Sequence, residues 1–327
     1  MTVFTNKITA RLIDTPNGDL KVVNAARVSF AKESNEILPG DVGLINYLAN
    51  HRHWTPFSHC RDTFEFKIPT PSHKQSLLEF LLLDLNQDDI TSMVVAQVNS
   101  SIFVKHSLFG WANILNKCAL SHKIILREDL AKLARALCDK YPLSSAALLT
   151  PEAKSIFANV GVSEFYTDYI DDRFEDITLC EYVPIFVARQ RFKHMVGTTY
   201  NEVSRRYVST PPQLYLPDIW RGKHESAKQG STDEPSEFMH GRKSLNHNVV
   251  ATEMHNTVDK YNTMIKNGVC PEQARMTLPQ GMMTEYYVTA NRSAWNRMIE
   301  QRKDSHAQKE IRDLAIEADK IINKVKE

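Results

Sequence analysis

The hydrophobic pattern of the chain changes at Pro69, and this change constrains the fold more than any other feature. Residues 63–69 (TFEFKIP) alternate polar and apolar side chains, which is typical of a strand with one buried face. Over 71–181 the spacing is helical instead, most clearly at 127–141. The stripe there consists of Leu130, Leu133, Ala134 and Leu137. The sequence therefore predicts a helical subdomain, residues 71–181, inserted after a strand.

Shorter patterns predict elements before this segment. Pro16-Asn17-Gly18 is a turn signal, so residues 1–30 are predicted to form a hairpin or strand pair followed by a short helix. After Pro39-Gly40, the spacing of Val42, Ile45 and Leu48 predicts a helix that runs to about Asn50.

The last third of the chain reads as a loop and two long helices. Residues 221–237 contain one apolar side chain, Ala227, and are therefore predicted to form a mobile loop. Helices are predicted at about 244–266, closed by Gly268, and at about 305–326, with one apolar seam.

The charges of the chain nearly cancel. Forty lysines and arginines against 39 aspartates and glutamates leave a formal net charge of +1. No global field would recruit a long polyanion, which argues against a nucleic-acid partner. An anionic ligand must therefore be held by local arginines.

Cysteine usage and hydropathy predict the compartment. The five cysteines form no CxxC pair, and an odd number argues against a complete disulfide framework. The first residues lack the apolar stretch of a signal peptide, and the longest apolar run, 77–85, is interrupted by Glu79 and Asp84. We therefore expect a cytoplasmic protein without a membrane partner.

The first polar cluster is residues 51–59 (HRHWTPFSH), which lies between a predicted helix and a predicted strand. Its histidines have no cysteine or carboxylate at ligand spacing, so the pattern disfavours a metal site. Two interpretations stay open. The cluster binds a ligand, or His59 starts the strand while His53 caps the turn by hydrogen bonding.

The second cluster is residues 189–194 (RQRFKH) followed by 200–207 (YNEVSRRY). Arginine forks hold a phosphate or carboxylate through two parallel hydrogen bonds, and Ser204 with nearby backbone N–H groups can complete a phosphate cradle. That combination favours a nucleotide monophosphate. A solvated basic helix face with surface ion pairs explains the same run equally well.

The third cluster contains residues 291–293 (NRS), Arg297 and 302–308 (RKDSHAQ), with Arg275 upstream. Asp304 or Ser305 is predicted to be the N-cap of the last helix, so part of this cluster has a structural explanation. Arg302, just before them, has none.

Together these clusters resemble the flavin-dependent thymidylate synthase family, also called ThyX. The matching motifs occur in the order and spacing of the family: residues 24–30 (NAARVSF), 53–59 (HWTPFSH), 64–66 (FEF), 184–190 (PIFVARQ), 200–207, Ala274-Arg275, Leu278-Pro279, Asn291 and 302–308. The predicted helical segment lies outside them.

The resemblance implies a mixed α/β fold, with a catalytic core at 1–70 and 182–327 and a helical insertion at 71–181. It also implies a homotetramer whose active sites, with FAD, form where subunits meet. Methylenetetrahydrofolate would supply the carbon and NADPH the reducing power for methylation of dUMP at C5 to dTMP. In this family reduced flavin provides the hydride, no cysteine attacks the pyrimidine, and an arginine matched by Arg302 polarises the uracil ring.

The same matching assigns binding residues. Those for dUMP are Gln190, Lys193, Glu202, Ser204, Arg205, Arg206, Arg275 and Arg302. Those for FAD are Ser29, His53, Thr55, Lys193, His194, Met195, Glu202, Asn291, Arg292 and Arg297. No residue is assigned to a metal.

One departure from the family concerns its hallmark, Arg-His-Arg followed by seven residues and a serine. Lys193-His194-Met195 takes the place of the triad, with eight residues before Ser204; the alternative register, Arg189-Gln190-Arg191, would leave twelve. Because the first register needs fewer inserted residues, we prefer it. Lysine lacks the planar fork of arginine and methionine lacks the charge as well. A substitute cation is therefore expected among Arg191, Arg292 and Arg297, with Arg297 preferred.

The altered triad leaves two alternatives to thymidylate synthesis open. One is another C5 transfer, such as hydroxymethylation of a deoxypyrimidine nucleotide. The other is a flavin- or nucleotide-binding paralogue without turnover, although Ser204, Arg275 and Arg302 are all retained.

Overall fold

A computed structural model describes residues 2–82, 93–119, 126–156, 160–161, 163–208, 210–223, 231–236 and 245–325. Its central sheet has four antiparallel strands in the order β2 (Thr9–Leu12), β6 (Asp176–Pro184), β11 (Met283–Asn291) and β7 (Thr198–Glu202). β6 and β11 pair over their whole length, from Met283 opposite Pro184 to Asn291 opposite Asp176. These two long inner strands are the frame on which the candidate residues are placed.

Helices cover both faces of this sheet. α9 (Ile185–Arg191), α12 (Arg292–Lys303) and α13 (Lys309–Lys324) pack on one face, around a core that includes Leu179, Tyr286, Val288, Trp295 and Leu314. α1 (Asp19–Arg27) and a 3₁₀ turn (Val28–Phe30) pack on the other, with Ala25, Val28, Cys180 and Tyr287. Sequence neighbours such as Tyr286 and Tyr287 therefore enter different cores, as the pleat of a strand requires.

A second sheet has the antiparallel order β3 (Arg61–Lys67), β5 (Ser101–Ser107) and β4 (Val94–Val98). Its core includes Phe64, Phe66, Val104, Trp111 and Leu137. The surrounding helices are α2 (Asp41–Asn50), α3 (Thr55–Ser58), α4 (Pro71–Leu82), α5 (Leu108–Ala119), α6 (Arg127–Lys140), α7 (Pro142–Leu148) and α8 (Pro151–Ser155). The predicted strand at 63–69 and the predicted helices at 42–50 and 127–141 are thus confirmed to within about two residues.

The prediction that 71–181 is helical is wrong in part. β4 and β5 form a hairpin inside this segment, and the expected boundary at 181 falls within β6. The hairpin is explained by its β-branched residues and by Asn99, which turns the chain with a left-handed φ of 53°. β6 belongs to the central sheet because its side chains alternate between the two cores.

At the amino end, β1 (Phe4–Thr5) pairs in parallel with β8 (Leu214–Tyr215), whereas β2 pairs with β6. The two strands predicted within 1–30 therefore exist but do not form a hairpin with each other.

Towards the carboxyl end, part of the predicted loop 221–237 is ordered as an antiparallel pair, β9 (Arg221–Lys223) with β10 (Ser231–Pro235); residues 224–230 and 237 lie outside the described residues. α10 (Leu245–Lys266) is followed by Gly268 with a left-handed φ of 84°, as predicted. α11 (Pro271–Ala274) and a 3₁₀ turn (Arg275–Thr277) then lead to β11.

The predicted N-cap of the last helix is wrong. α13 begins at Lys309 with Gln308 at the cap position, while Asp304 closes α12 and its carboxylate accepts a hydrogen bond from the backbone N–H of His306 at 2.8 Å. In the part of the chain that is described, no helix is long and apolar enough to cross a membrane.

Candidate active site

The candidate catalytic residue, Arg302, lies in the last turn of α12 and contacts the turn that joins α9 to β7. Its Nε donates a hydrogen bond to Nε2 of His194 at 2.9 Å. Since that nitrogen accepts, the proton of the neutral imidazole is on Nδ1. Among the described residues no carboxylate pairs with Arg302, so its guanidinium keeps an uncompensated positive charge.

The surroundings hold His194 neutral. Partial burial, the charge of Arg191 and the charges of Arg302 and Arg297 lower the pKa of His194 to about 4. A neutral imidazole can accept the hydrogen bond from Arg302 throughout the neutral pH range. The sequence pattern placed these two residues in one site, and the structure brings them into contact.

Gln190, in the last turn of α9, belongs to a chain of polar contacts. Its Nε2 donates to Oε1 of Gln308 at 2.6 Å, and Nε2 of Gln308 donates to Glu310 at 2.9 Å. Both oxygens of Glu310 also accept from Arg221 at 2.9 Å. The side chain of Gln190 is therefore held in one orientation from outside the site.

Two of the expected substitute cations are used structurally. Arg191 is 1% exposed; its Nε donates to both oxygens of Glu181 at 3.1 Å, and its Nη1 donates to the hydroxyl of Tyr200 at 2.6 Å. Arg292 is 3% exposed, pairs with Glu175 and donates to the backbone oxygen of Ile322. Neither guanidinium can reach a flavin without losing its ion pair, which for Arg191 is buried on both sides.

The other triad-region residues face solvent. Lys193 is exposed, and Met195 is 65% exposed, next to the equally exposed Val196. Arg297 is also exposed, and its Nη2 donates to the backbone oxygen of Val196 at 3.0 Å. Asn291 is instead buried as the N-cap of α12, where its side chain accepts from the N–H of Ala294 at 2.8 Å.

A second group of candidates lies at the other end of β7. The carboxylate of Glu202 accepts from the hydroxyl of Thr284 at 2.6 Å. Surrounding protein atoms raise the pKa of Glu202 by desolvation, against the opposite effects of Thr284 and of the nearby Arg275. Ser204 begins a turn in which its Oγ accepts from the N–H of Arg206 at 3.3 Å.

The arginines of this second group differ in their environment. Arg206 pairs with Glu272 at 2.6 Å on the surface, and Arg205 donates to the backbone oxygen of Thr210. Arg275 is exposed, and its side chain makes no hydrogen bond or ion pair with the described residues. Arg275 is therefore directly available to an anion, and Arg206 becomes available by exchanging its exposed ion pair with Glu272.

A third group lines a cleft of about 600 Å³ between α1, α2 and α3. Ser29, His53 and Thr55 contribute polar atoms, and the aromatic walls are Phe30, Tyr47, Trp54 and Tyr207. Phe30 and Tyr207 stack with ring centroids 4.7 Å apart. Aromatic faces beside hydroxyl groups suit a flat heteroaromatic ring with polar edges, such as a flavin.

Sequence reasoning missed Arg52 in this cleft. Among the described residues that line it, Arg52 carries the one permanent charge, and its φ of 55° places it in the left-handed region. The signal for it in the sequence is its position between His51 and His53. His59, by contrast, is buried, and its ring contacts Thr289 at 2.7 Å and Asn201 at 3.3 Å, so its role is structural, although β3 starts two residues later, at Arg61.

Within one chain the Arg302 pair does not meet the other two groups. Tyr200 on β7 enters the core beside α9, whereas Asn201, the next residue, lines the cleft on the opposite face. The turn that bears His194 and the turn that begins at Ser204 lie at opposite ends of β7, and Gly197 and Glu202 alone are separated by roughly 16 Å at ~3.3 Å per residue. The Arg302 pair is therefore a separate surface, whereas the Ser204 turn adjoins the cleft. The N–H of Ser204 donates to the backbone oxygen of Ser29 at 3.0 Å, and Tyr207 forms one wall of the cleft.

Comparison with known proteins gives the family. Residues 11–77 and 175–326 match the family model described as thymidylate synthase complementing protein. The chain is 30% identical over 314 residues to the flavin-dependent thymidylate synthase of Aquifex aeolicus, which covers 91% of this chain and 92% of that protein. It is 34% identical over 145 residues to the enzyme of Thermosipho africanus, covering 44% of this chain and 62% of that one.

A solved structure, the UMP/dUMP methylase PolB from Streptomyces cacaoi bound with 5-Br dUMP, matches with a TM-score of 0.42 and 19% identity, covering 98% of this chain and 92% of that chain. The family model and the mixed α/β fold define the broad class, that of the thymidylate synthase complementing proteins. Within that class the chain belongs to the flavin-dependent thymidylate synthase family, which confirms the resemblance inferred from its motifs.

Proposed function

We propose that this chain is a thymidylate synthase that methylates dUMP at C5 to dTMP, with FAD as cofactor, NADPH as reductant and methylenetetrahydrofolate as carbon donor. The observation that carries the proposal is the state of Arg302. It is half-buried and held by a neutral histidine, and no carboxylate among the described residues cancels its charge.

That charge suits the developing negative charge on a pyrimidine. A guanidinium fixed beside a ring carbonyl stabilises the transition state because it needs no reorganisation as charge develops. A carboxylate partner would weaken the effect, and His194 orients the guanidinium without doing so. When bound, reduced flavin supplies the hydride that completes the methyl group.

The location of each group of residues indicates which ligand it would bind. Ser29, His53 and Thr55 would hold the flavin in the aromatic cleft, where Arg52 can bind its phosphate groups. Ser204, Arg206 and Arg275 would hold the nucleotide, with Glu202 at the edge of the ring site. Gln190 and Arg302 would approach the pyrimidine from another surface.

Because the Arg302 pair lies apart from the Ser204 turn and the adjoining cleft within one chain, we propose that each complete site is shared between chains of a homotetramer. Combining an Arg302→Ala chain with an Arg206→Ala chain tests this. If sites are shared, the mixed assembly contains some sites with both arginines intact and is more active than either variant alone. Activity no higher than that of the separate variants would contradict shared sites. A cytoplasmic location stays a prediction.

The mass of the product tests the reaction itself. Incubation of the protein with dUMP, methylenetetrahydrofolate, NADPH and FAD is expected to add one CH₂ unit to the nucleotide. An added CH₂O unit would identify hydroxymethylation, and unchanged dUMP from a flavin-bound protein would identify a paralogue without turnover. Either result would overturn the proposal.

A further inference from the structure

The turn at 194–197 contains the extra residue of the altered motif, and it is unusually well held. Each of its four backbone carbonyls accepts a hydrogen bond, two from β7 and one each from α12 and β3. The pairs are His194 O with the Tyr200 hydroxyl at 2.8 Å, Met195 O with Thr198 N at 3.1 Å, Val196 O with Arg297 Nη2 at 3.0 Å and Gly197 O with Arg61 Nη1 at 3.0 Å. The conformation that presents His194 to Arg302 therefore depends on these donors.

Gly197 is the residue where the turn is most constrained. Its φ of 74° is in the left-handed region, and an added Cβ would lie 2.9 Å from Nδ2 of Asn291. Its carbonyl also accepts from the N–H of Asn291 at 3.3 Å. A donor to this carbonyl thus acts on both the turn and the start of α12, the helix that carries Arg302.

Arg61 is the buried donor to that carbonyl. Its side chain is 1% exposed, and besides Gly197 it donates to the hydroxyl of Thr199 at 2.6 Å and to the backbone oxygen of Ser58 at 3.2 Å. A guanidinium supplies several donors in one rigid plane, which a lysine cannot do. Arg61 therefore ties β3 to both ends of the segment 197–199.

The carboxylate that pairs with Arg61 also pairs with a lysine from outside the part of the chain that the family model matches. Asp176 lies 3.4 Å from Nη1 of Arg61 and 2.9 Å from Nζ of Lys105, whose side chain is 1% exposed. Lys105 is on β5, within the part of the chain, 78–174, that the family model leaves out. Two buried cations thus compete for one carboxylate, and the one with the longer contact is Arg61.

We propose that Arg61 is a positioning residue for the 194–197 turn, and that Lys105 keeps Arg61 in that role by occupying Asp176. Without Lys105, the unshared carboxylate would draw Nη1 of Arg61 away from Gly197, because a buried carboxylate is a stronger acceptor than a backbone oxygen. Through Lys105, the extra segment of this chain, which the family model leaves out, thereby helps to fix the conformation of the candidate active site. The catalytic consequence rests on the proposed function, whereas the hold on the turn does not.

Amide hydrogen exchange measures the hold directly. The N–H groups of Thr198 and Asn291 donate to Met195 O and Gly197 O, so they report whether the turn opens. In the full-length protein without added ligands, Lys105→Met and Arg61→Lys are each expected to speed exchange of both amides at least about tenfold, as loss of a charge-assisted bond predicts. Methionine matches the length of lysine, so Lys105→Met keeps the test usable if Arg61 variants do not fold.

Lys140→Met is the matched control. Lys140 is also a lysine of the extra segment paired with a core aspartate, Asp62, at 2.5 Å, but it does not contact Arg61. It is expected to lower the melting temperature without a selective effect on Thr198 and Asn291. Unchanged exchange in Lys105→Met and Arg61→Lys would overturn the proposal, and so would equal acceleration in Lys140→Met.

Kinetics of the same variants separate this inference from the proposed function. If the inference and the proposed function are both correct, Lys105→Met lowers kcat for dTMP formation. Lys105→Arg, which keeps a cation paired with Asp176, should have a kcat close to that of the unmodified protein. Faster exchange in a protein that makes no dTMP would leave the positioning role standing and overturn the reaction. Normal dTMP formation by Lys105→Met with unaltered amide exchange would support the reaction and overturn the positioning role.

Discussion

Arg302 donates from its Nε to Nε2 of His194 across 2.9 Å, so a cation is oriented here by a neutral base and not by an acid. Among the described residues, this pairing leaves the outer nitrogens of the guanidinium free for a ligand and leaves its charge intact. It also ties the ionisation of His194 to the function of Arg302, since a protonated imidazole cannot accept that bond.

Replacement of Arg302 by alanine is expected to lower kcat about 100- to 1,000-fold, the range for loss of one preorganised donor, while flavin absorbance is retained. Arg302→Lys should recover only part of the loss, because the charge returns without the fork. Lys303→Ala is the control, since the neighbouring Lys303 pairs with Asp319 on the surface. Turnover by Arg302→Ala equal to that of the control would refute the role.

His194 is expected to titrate near pH 4 in histidine NMR spectra of the folded protein, against about 6.5 in the unfolded chain. Because folding lowers its pKa, His194 contributes stability that is complete above about pH 6.5 and is lost as the pH falls towards 4. Arg302→Met should move the pKa of His194 upwards by removing one nearby charge. A titration near 6.5 in the unmodified protein would show that the pair does not form.

Met195→Arg is expected to increase the affinity for FAD, because it restores the cation of the family motif at an exposed position. Val196→Arg, at the 69% exposed neighbouring position, controls for added charge alone. Flavin titration of both variants measures the difference. Equal affinities would indicate that the chosen register of the motif is wrong.

Arg52→Ala should weaken binding of FAD and FMN several-fold but leave riboflavin unaffected, because riboflavin has no phosphate for the guanidinium to bind. Fluorescence titration with the three flavins gives the comparison within one variant. A similar loss for all three would mean that Arg52 shapes the cleft without binding an anion.

The cysteines are expected to be dispensable for chemistry. Burial raises the pKa of Cys60 to about 11, so its thiolate is scarce at neutral pH, and Cys270 is exposed beside the start of α11. Cys60→Ser and Cys270→Ser should both form dTMP at near-normal kcat once folding is verified by circular dichroism. Loss of dTMP formation in a folded variant would point to nucleophilic attack by a thiolate.

The sequence predicted what depends on local pattern and motif order. The helices at 42–50 and 127–141 have single apolar stripes, and Arg302 and His194 were placed by the order and spacing of motifs along the chain. What it could not predict depends on long-range pairing. The burial of Arg191 and Arg292 requires partners, Glu181 and Glu175, that only the folded sheet brings close.

The same limit applies to Arg61, whose contacts with Gly197 and Thr199 join residues far apart in the chain. Nothing in its neighbourhood on β3 distinguishes it from a surface arginine of an alternating strand. The hairpin β4–β5 was missed for a different reason, since its short apolar runs lie among longer helical patterns.

The position of β6 has a consequence for synthesis on the ribosome. β6 is an inner strand between β2 and β11, yet it is translated after the whole extra segment. Thr9 on β2 therefore cannot pair with Tyr182 on β6 until that segment has been made. The edge of β2 is therefore unpaired while more than half of the protein is made, and pairing over such sequence distances is slow. The nascent chain is thus exposed to aggregation and to chaperones for longer than a chain whose neighbouring strands follow each other directly.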